Sequence, residues 1–314
     1  MALHVVLGKG PVGTALTAEL VARGHRVRVL SRSGGTDAPG VEHRALDAAD
    51  PDAVLQATVG AQALYNCANP PYHRWEQQWP PVAAALLEAA ARTGAGLVIT
   101  GNLYGYGPVD GPMTERTPLA APGRKGRVRV GMWERALARQ EAGDVRVTEA
   151  RASDFVGPGV VDGGYLGARV VPRVLAGTGV RVIGSPDQPH SWTRVSDLGR
   201  ALAVLGTGDR GWGRAWHVPT APPVTQRQAV AGICAAAGVA PVRVGVVPHL
   251  AVRALGLAVP FARELEEVRH QFVRPFVLDS SDWTRTFGDE ATPLEQTWED
   301  TVRWWRDRAA VPVR

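Results

Sequence analysis

The sequence predicts an α/β protein built on a doubly wound parallel sheet, with a smaller C-terminal domain. Three observations lead there. Residues 1–32 read as strand, glycine turn, helix and strand. Short apolar runs then alternate with helical patterns to about residue 150 through short connections, the rhythm of parallel strands joined by crossover helices. Beyond that the rhythm loosens. A first domain is therefore expected over 1–155, with a returning segment near 190–220, and a second mainly over 156–314.

Leu3–Leu7 is the first apolar strand, and Gly8-Lys9-Gly10-Pro11-Val12-Gly13 follows it directly. Thr14–Arg23 carries helical spacing, Gly24 stops it, and Arg26–Leu30 returns to strand character. A G-x-G-x-x-G in that setting predicts a dinucleotide site: Gly8 for the tight turn, Gly10 for backbone approach to a pyrophosphate, Gly13 for helix–strand packing. Pro11 and Val12 open the helix whose free N–H groups would meet the phosphates. After the second strand comes Ser31-Arg32-Ser33, with no carboxylate before Asp37. Arg32 suits a 2′-phosphate in bidentate fashion and the serines add donors, so NADP(H) is expected in preference to NAD(H).

Val41–Leu46 is a third strand ending in Asp47-Ala48-Ala49-Asp50, where an acid either accepts from an adenine amino group or caps the helix starting near Pro51. A helix over Ala53–Thr58 leads to a strand at Gln62–Cys67, and Ala68-Asn69-Pro70-Pro71-Tyr72-His73-Arg74-Trp75 leaves its C-terminal end, where open parallel sheets place ligands. A helix over Trp79–Thr93, a strand at Gly96–Gly101, a helix over about Arg127–Ala142 and a strand at Val145–Arg151 follow. The later chain reads as a helix near Tyr165–Ala176, a strand at Val180–Ile183 and a helix capped by Ser196 or Asp197. Then come a sheet strand at Ala215–Val218, a Thr225-capped helix ending at Gly238, and a strand at Val242–Val247. Helices near His249–Leu257, Ala262–Phe272 and Leu294–Arg308 complete the chain.

Composition bounds the function. Hydrophobic content of 45% and charged content of 21% are those of a soluble globular protein. No apolar run approaches a membrane span, and the N-terminus opens on a strand, not a signal peptide. Cys67 and Cys234, the only cysteines, have neither metal-ligand spacing nor a disulfide framework, so a cytoplasmic protein is expected. The net charge of +5 comes with 33 arginines, two lysines (Lys9 and Lys125) and no aromatic-interleaved basic platform, so no nucleic-acid partner is expected.

Taken together, the pieces resemble the extended short-chain dehydrogenase/reductase superfamily, the NAD-dependent epimerase/dehydratase-like proteins. The resemblance rests on the glycine turn, Asp47, Thr100–Gly105 as a serine-x-x-x-Tyr-Gly counterpart, and Glu115-x-x-Pro118. It continues with Arg151–Pro158 as an Arg-x-x-x-x-Gly-Pro turn, and with Thr193–Leu202 as a helix entered by Val-x-Asp. It implies a Rossmann domain, a smaller substrate domain, and a nicotinamide over the end of the sixth strand near Ser153 and Asp154. Ala68, Asn69 and Pro70 belong to the implied cofactor contacts.

One departure stands out. The family's Tyr-x-x-x-Lys pair supplies the general acid/base and the lysine beside it. Counting back from Glu134 puts Gly126 and Val130 there, and no Tyr-x-x-x-Lys occurs anywhere in the chain. The substitutes open to the sequence are Thr100 and Asn102 to hold the reacting oxygen, Tyr106 or the more core-like Tyr104 as the acid, and Lys125 with Arg129 for the lysine's charge. Tyr72, Trp75, Trp79, Trp133, His190 and Trp192 are candidates to shape a pocket for an apolar or aromatic small-molecule substrate, with His73 weaker.

The leading expectation is an NADP(H)-dependent oxidoreductase with a non-standard proton donor, acting on a carbonyl, imine or activated alkene. An epimerase or dehydratase working through transient oxidation, and a cofactor-sensing non-enzyme, remain open beside it. A homodimer through the Ala-rich helices Pro80–Ala91 and Arg127–Ala142 is possible on this reading, and sheet covering explains those helices equally well.

Overall fold

The structure is a computed structural model describing residues 1–259 and 263–310. In chain order the first elements are β1 (Leu3–Leu7), α1 (Pro11–Ala22), β2 (Arg26–Ser31), β3 (Val41–Ala45), α2 (Pro51–Thr58) and β4 (Ala61–Asn66). Next are α3 (Trp75–Thr93), β5 (Gly96–Asn102), α4 (Arg124–Glu141), β6 (Val147–Ala152), β7 (Asp154–Val156), α5 (Val171–Leu175), β8 (Val180–Val182), β9 (Pro189–His190) and β10 (Trp192–Arg194). Then come α6 (Val195–Thr207), β11 (Ala215–His217), β12 (Val224–Thr225), α7 (Gln226–Ala237), β13 (Val244–Val246) and α8 (His249–Gly256). Three further helices are α9 (His270–Val273), α10 (Ser281–Phe287) and α11 (Leu294–Ala310).

The chain divides into two compact units. The first comprises Met1–Gly107, Pro118–Ala152 and Leu198–Val218, the second Pro108–Thr117, Ser153–Asp197 and Pro219–Arg314. The first holds a seven-stranded sheet in the order β11-β6-β5-β4-β1-β2-β3, parallel throughout. Strand order reverses between β1 and β4, so the crevice at their C-terminal ends is where such a sheet takes a ligand. The central strands place apolar residues on both covered faces: Val5, Val6, Leu64, Leu97 and Val98 are buried. On one side α3 brings Trp79, Ala85, Leu86, Ala89 and Ala90 into that core, and α4 brings Met132, Trp133 and Ala136.

The second unit uses short strand pairs, β7 with β10 and β8 with β13 in parallel and β9 with β12 antiparallel. Its core packs Val171 and Val174 of α5, Val230 and Ile233 of α7, and Trp298 and Val302 of α11 around Trp192. Thr225 begins α7 with a capping box to Gln228, and Gly238 ends it at φ 63°, both as the sequence predicts.

Several boundaries differ from the expectation. Helix α3 starts at Trp75 rather than Trp79, carrying Pro80 and Pro81 inside it, and α4 starts at Arg124. The helix expected over Tyr165–Ala176 shrinks to Val171–Leu175, since Gly167 packs against the 160–161 backbone and Gly164 against the Val160 side chain and the Phe155 carbonyl. Neither Ser196 nor Asp197 caps α6, which runs from Val195. The Ser196 hydroxyl accepts from Arg194, and the buried Asp197 carboxylate accepts from the Thr292 N–H at 2.8 Å and its hydroxyl at 2.7 Å. Of the helix expected over Ala262–Phe272, Ala262 lies outside the described residues and α9 is what forms near its end.

Under the first sheet, the fully buried His4 holds its Nδ1 2.9 Å from Tyr65 Oη and its Nε2 3.2 Å from His25 Nδ1. Burial, aided by His25, pushes His4 down from 6.5 to about 4. The folded protein therefore binds fewer protons than the unfolded chain between those values. His4's contribution is fully present above about pH 6.5 and is lost as pH falls toward 4. Melting temperature is expected to decline from pH 7 to 4.5, and His4→Gln to flatten part of that slope. An unchanged slope removes His4 as its source.

Candidate active site

The turn after β1 is shaped by what it lacks. Gly8 sits at φ 108°, and a Cβ there would come within 2.7 Å of the Cys67 carbonyl oxygen at the end of β4. A Cβ on Gly13 would overlap the Gly8 carbonyl oxygen, so α1 can approach β1 this closely only with glycine there. Gly10 differs: a Cβ on it would meet nothing within 4 Å. Pro11 occupies the first helical position, and the first intrahelical bond runs from Thr14 N to the Gly10 carbonyl at 2.9 Å. The amides of Val12 and Gly13 therefore precede the ladder as donors without an intrahelical acceptor. Two close-packed glycines, one open glycine and free amides fit a dinucleotide pyrophosphate.

Beside this turn lies the end of β2. The Ser31 hydroxyl donates to the Gly34 carbonyl at 3.1 Å, while Arg32 and Ser33 are exposed on the turn. Lys9, from inside the glycine turn, donates its ammonium to the same Gly34 carbonyl at 2.7 Å. Two cations thus flank the end of β2. The sequence reading missed Lys9, since nothing in its spacing shows a side chain reaching a loop 25 residues away. Asp37, the first acid downstream, accepts the His43 N–H of β3 at 2.7 Å. Asp47 accepts the Ala49 N–H at 3.0 Å beside half-buried Ala48, and the helix cap is Asp50, accepting from Asp52 and Ala53. After β4, Ala68 N donates to Asn66 Oδ1, Asn69 is exposed, and the Pro70 carbonyl accepts from Trp75 Nε1.

At the end of β5, Thr100 donates to Cys67 Sγ at 3.6 Å, and burial pushes that thiol up to about 12, which disfavours its thiolate. Asn102 Oδ1 accepts the Tyr104 N–H at 3.1 Å, which leaves its amide N–H groups as donors. Tyr72 donates to Tyr104 Oη at 2.5 Å, and Lys125 Nζ lies 4.7 Å from the centre of the Tyr72 ring. Arg129 donates to the Thr100 carbonyl at 3.1 Å and stacks on Trp75 and Trp79. Burial pulls Arg129 below an ordinary guanidinium, with Glu149, Tyr104 and Tyr72 acting the other way.

Two expectations are corrected here. Tyr106 is 1% exposed, 2.6 Å from His217 Nε2 and accepting from Arg151 at 2.8 Å. It belongs to a buried network and offers no proton outward. Arg151 also donates to Glu149 at 2.6 Å; burial opposes its charge, but Glu149 and Tyr106 outweigh burial and push it up. Trp75 and Trp133 are core residues too, Trp75 stacked on Tyr104 and Trp133 carried into the core by α4.

The place that the resemblance reserves for the tyrosine is closed. A Cβ on Gly126 would overlap the Ala121 side chain and come within 2.7 Å of the Tyr104 carbonyl oxygen. Only glycine fits.

The second unit holds the remaining candidates. Ser153 N donates to Thr193 Oγ1 at 3.0 Å, and Asp154 Oδ2 lies 2.8 Å from His190 Nε2. His190 is buried, its Nδ1 donating to the Gln271 carbonyl at 3.1 Å and its ring parallel to Phe272. Trp192 is buried in that unit's core, with Nε1 donating to the Val224 carbonyl at 3.1 Å, which corrects its assignment to a pocket. His73 is exposed. Among the described residues no group of His, Cys, Asp or Glu is placed to hold a metal ion, and no helix is long and apolar enough to cross a membrane.

The model of the NAD-dependent epimerase/dehydratase family matches residues 5–216. The chain belongs to that family. Its fold recurs in dTDP-glucose 4,6-dehydratase from Bacillus anthracis in complex with NAD, at TM-score 0.80 and 17% identity over 98% of this chain and 97% of that one. The Bordetella bronchiseptica enzyme WbmH in complex with NAD+ has TM-score 0.77 and 19% identity, over 98% and 99%. DesIV, a dTDP-glucose 4,6-dehydratase from Streptomyces venezuelae with NAD bound, has TM-score 0.77 and 19% identity, over 97% of each chain. No curated protein matches the sequence. A nicotinamide dinucleotide is the cofactor class of this epimerase/dehydratase family.

The glycines make separable predictions. Gly10→Ala is expected to change stability by about 1 kcal/mol or less, because its Cβ meets no protein atom, while weakening dinucleotide binding at least about tenfold. Gly13→Ala is expected to lower the melting temperature as well. Melting curves and calorimetry with the dinucleotide read both, and a Gly10→Ala protein of undiminished affinity moves the phosphates elsewhere.

Proposed function

We propose that the protein is an NADP(H)-dependent oxidoreductase that reduces a small apolar or aromatic carbonyl, imine or activated alkene, or oxidises the corresponding product. The observation that carries the cofactor assignment is the end of β2. Arg32 and Lys9 stand there, and the first acid downstream, Asp37, is engaged with the β3 backbone. A ribose 2′-phosphate brings negative charge and acceptor oxygens to two cations and the exposed Ser33 hydroxyl. A bare 2′-hydroxyl asks instead for a carboxylate. The three related structures hold NAD, so this is where the present chain would part from them.

Val12 and Gly13 would hold the pyrophosphate. Thr100 and Asn102, at the C-terminal end of β5, would orient the reacting oxygen or nitrogen, Asn102 through its amide N–H groups. The nicotinamide supplies or accepts the hydride when bound. Transient-oxidation chemistry of the epimerase or dehydratase kind needs a base at the α4 position that Gly126 closes, which weighs against it. The same closure supports a second reading, a cofactor sensor without turnover.

Calorimetry is expected to show NADPH bound at least about tenfold more tightly than NADH, and NADPH oxidation to proceed with some ketone, imine or activated alkene. Arg32→Ala is expected to cost NADPH about 10- to 100-fold in affinity, the worth of charged hydrogen bonds, and to change NADH less than about twofold. Tighter NADH binding overturns the cofactor assignment. Tight NADPH binding with no turnover on any class replaces the oxidoreductase by the sensor.

A further inference from the structure

With position 126 closed to a side chain, the phenol that the family keeps on α4 has to come from another element. Two phenols meet beside that position. Tyr72, on the loop after β4, donates to the hydroxyl of Tyr104, on the loop after β5, at 2.5 Å. Both are half-buried, unlike Tyr106. Lys125, immediately before Gly126, is 3% exposed and lies over the Tyr72 ring. Arg129, one turn along α4, is 9% exposed, with its Nε buried and lacking an acceptor. An exposed Arg124–Glu76 ion pair stands at the rim, and Glu149 lies behind Arg129, engaged by Arg151.

We propose that the Tyr72–Tyr104 hydroxyl pair, set against Lys125 and Arg129, is the proton donor that stands in for the missing tyrosine. Tyr104 is the catalytic acid and Tyr72 its positioning residue; the assignment rests on the oxidoreductase reading. In reduction of a carbonyl, a bound reduced nicotinamide would supply the hydride that adds to carbon while the C=O π pair moves to oxygen. The Tyr104 proton then moves to that oxygen, giving the alcohol, the oxidised cofactor and a tyrosinate. The tyrosinate keeps the Tyr72 O–H as a hydrogen-bond donor and two cations nearby, and solvent returns its proton. Short hydrogen bonds to an ionised oxygen are the strong ones, and two nearby positive charges favour the anion. Tyr104 is also suited by position: it lies four residues after Thr100, and its own N–H fixes Asn102, so donor and oxygen-holding groups share one loop.

The test has a readout that needs neither cofactor nor substrate. The chain has five tyrosines, so a single ionising phenol is visible by ultraviolet difference titration near the tyrosinate band. One phenol of the wild-type protein is expected to ionise below the ordinary value of about 10. That ionisation is expected to vanish in Tyr104→Phe and to move upward in Tyr72→Phe and Lys125→Met. Tyr104→Phe keeps the ring and its packing. It is expected to lose about 10²- to 10⁴-fold in turnover with unchanged NADPH affinity. Should Tyr104→Phe fail to fold, the Tyr72→Phe and Lys125→Met titrations carry the same test. Absence of any phenol ionising below the ordinary range overturns the proposal, as does turnover by Tyr104→Phe within about threefold of wild type, far below the usual worth of a general acid. A low-titrating phenol that is lost in Tyr104→Phe, in a protein with no turnover on any substrate class, supports the pair and removes the oxidoreductase reading instead.

Discussion

The functional edge of the first unit depends on backbone packing with no side chain in it. The Cα of Gly13 faces the carbonyl of Gly8, and Gly8 in turn faces the Cys67 carbonyl at the end of β4. Adding a Cβ to either would push α1 off β1 or part β1 from β4. The strand ends on both sides of the switch point then shift together, because β1 is hydrogen-bonded to β2 and β4, and β4 to β5. The end of β2 that carries Arg32, the Tyr72 loop and the Thr100–Tyr104 segment are all placed by that one close approach. This is why the open glycine, Gly10, has a different physical character from its neighbours: a Cβ on it would meet no protein atom, whereas theirs would meet backbone.

The start of α4 shows the same reasoning at a second place. The family's tyrosine and lysine sit four residues apart, and here Lys125 and Arg129 keep that spacing one position earlier on the helix, rotated by about 100°. Rotation carries the cations toward the aromatic cluster of Tyr72, Trp75, Trp79 and Tyr104. Burying a cation is costly unless something replaces its water. Ring faces do so for both side chains, and the Thr100 carbonyl does so for Arg129. Of the aromatic residues that resemble substrate-pocket walls in the sequence, Tyr72 and Trp75 lie against these buried cations.

That distinction marks the limit of what sequence reading could reach. The parallel sheet and the glycine turn were legible because each is a local pattern along the chain. The placement of Trp75, Trp133 and Trp192 was not, because a tryptophan has the same local signature whether it faces a ligand or the core. Tyr104 and Tyr106 were harder still. Two residues apart on a glycine-rich loop, they differ only in partners distant in sequence: Tyr72, 32 residues away, for one, and His217, 111 residues away, for the other. One signal was readable and went unused. Glu149 and Arg151 are opposite charges two apart on a strand whose neighbours are apolar, and such a pair must be buried together on one face, with a polar partner to complete it.

The chain's lysines sharpen the picture. Of 35 basic residues only Lys9 and Lys125 are lysine, and both lie on the stretches that lead from a strand's C-terminal end into the following helix. An arginine presents a broad planar fork; a lysine presents a compact charge with three donors. At Lys9 the ammonium meets a single carbonyl oxygen of the neighbouring loop, and at Lys125 it sits over one ring, 3% exposed. In a chain that otherwise uses arginine for its positive charge, lysine stands where a point charge has to be set within a turn or a helix start. By that argument the two ends of the site, the one proposed for the ribose phosphate and the one proposed for the proton, are built from the same material.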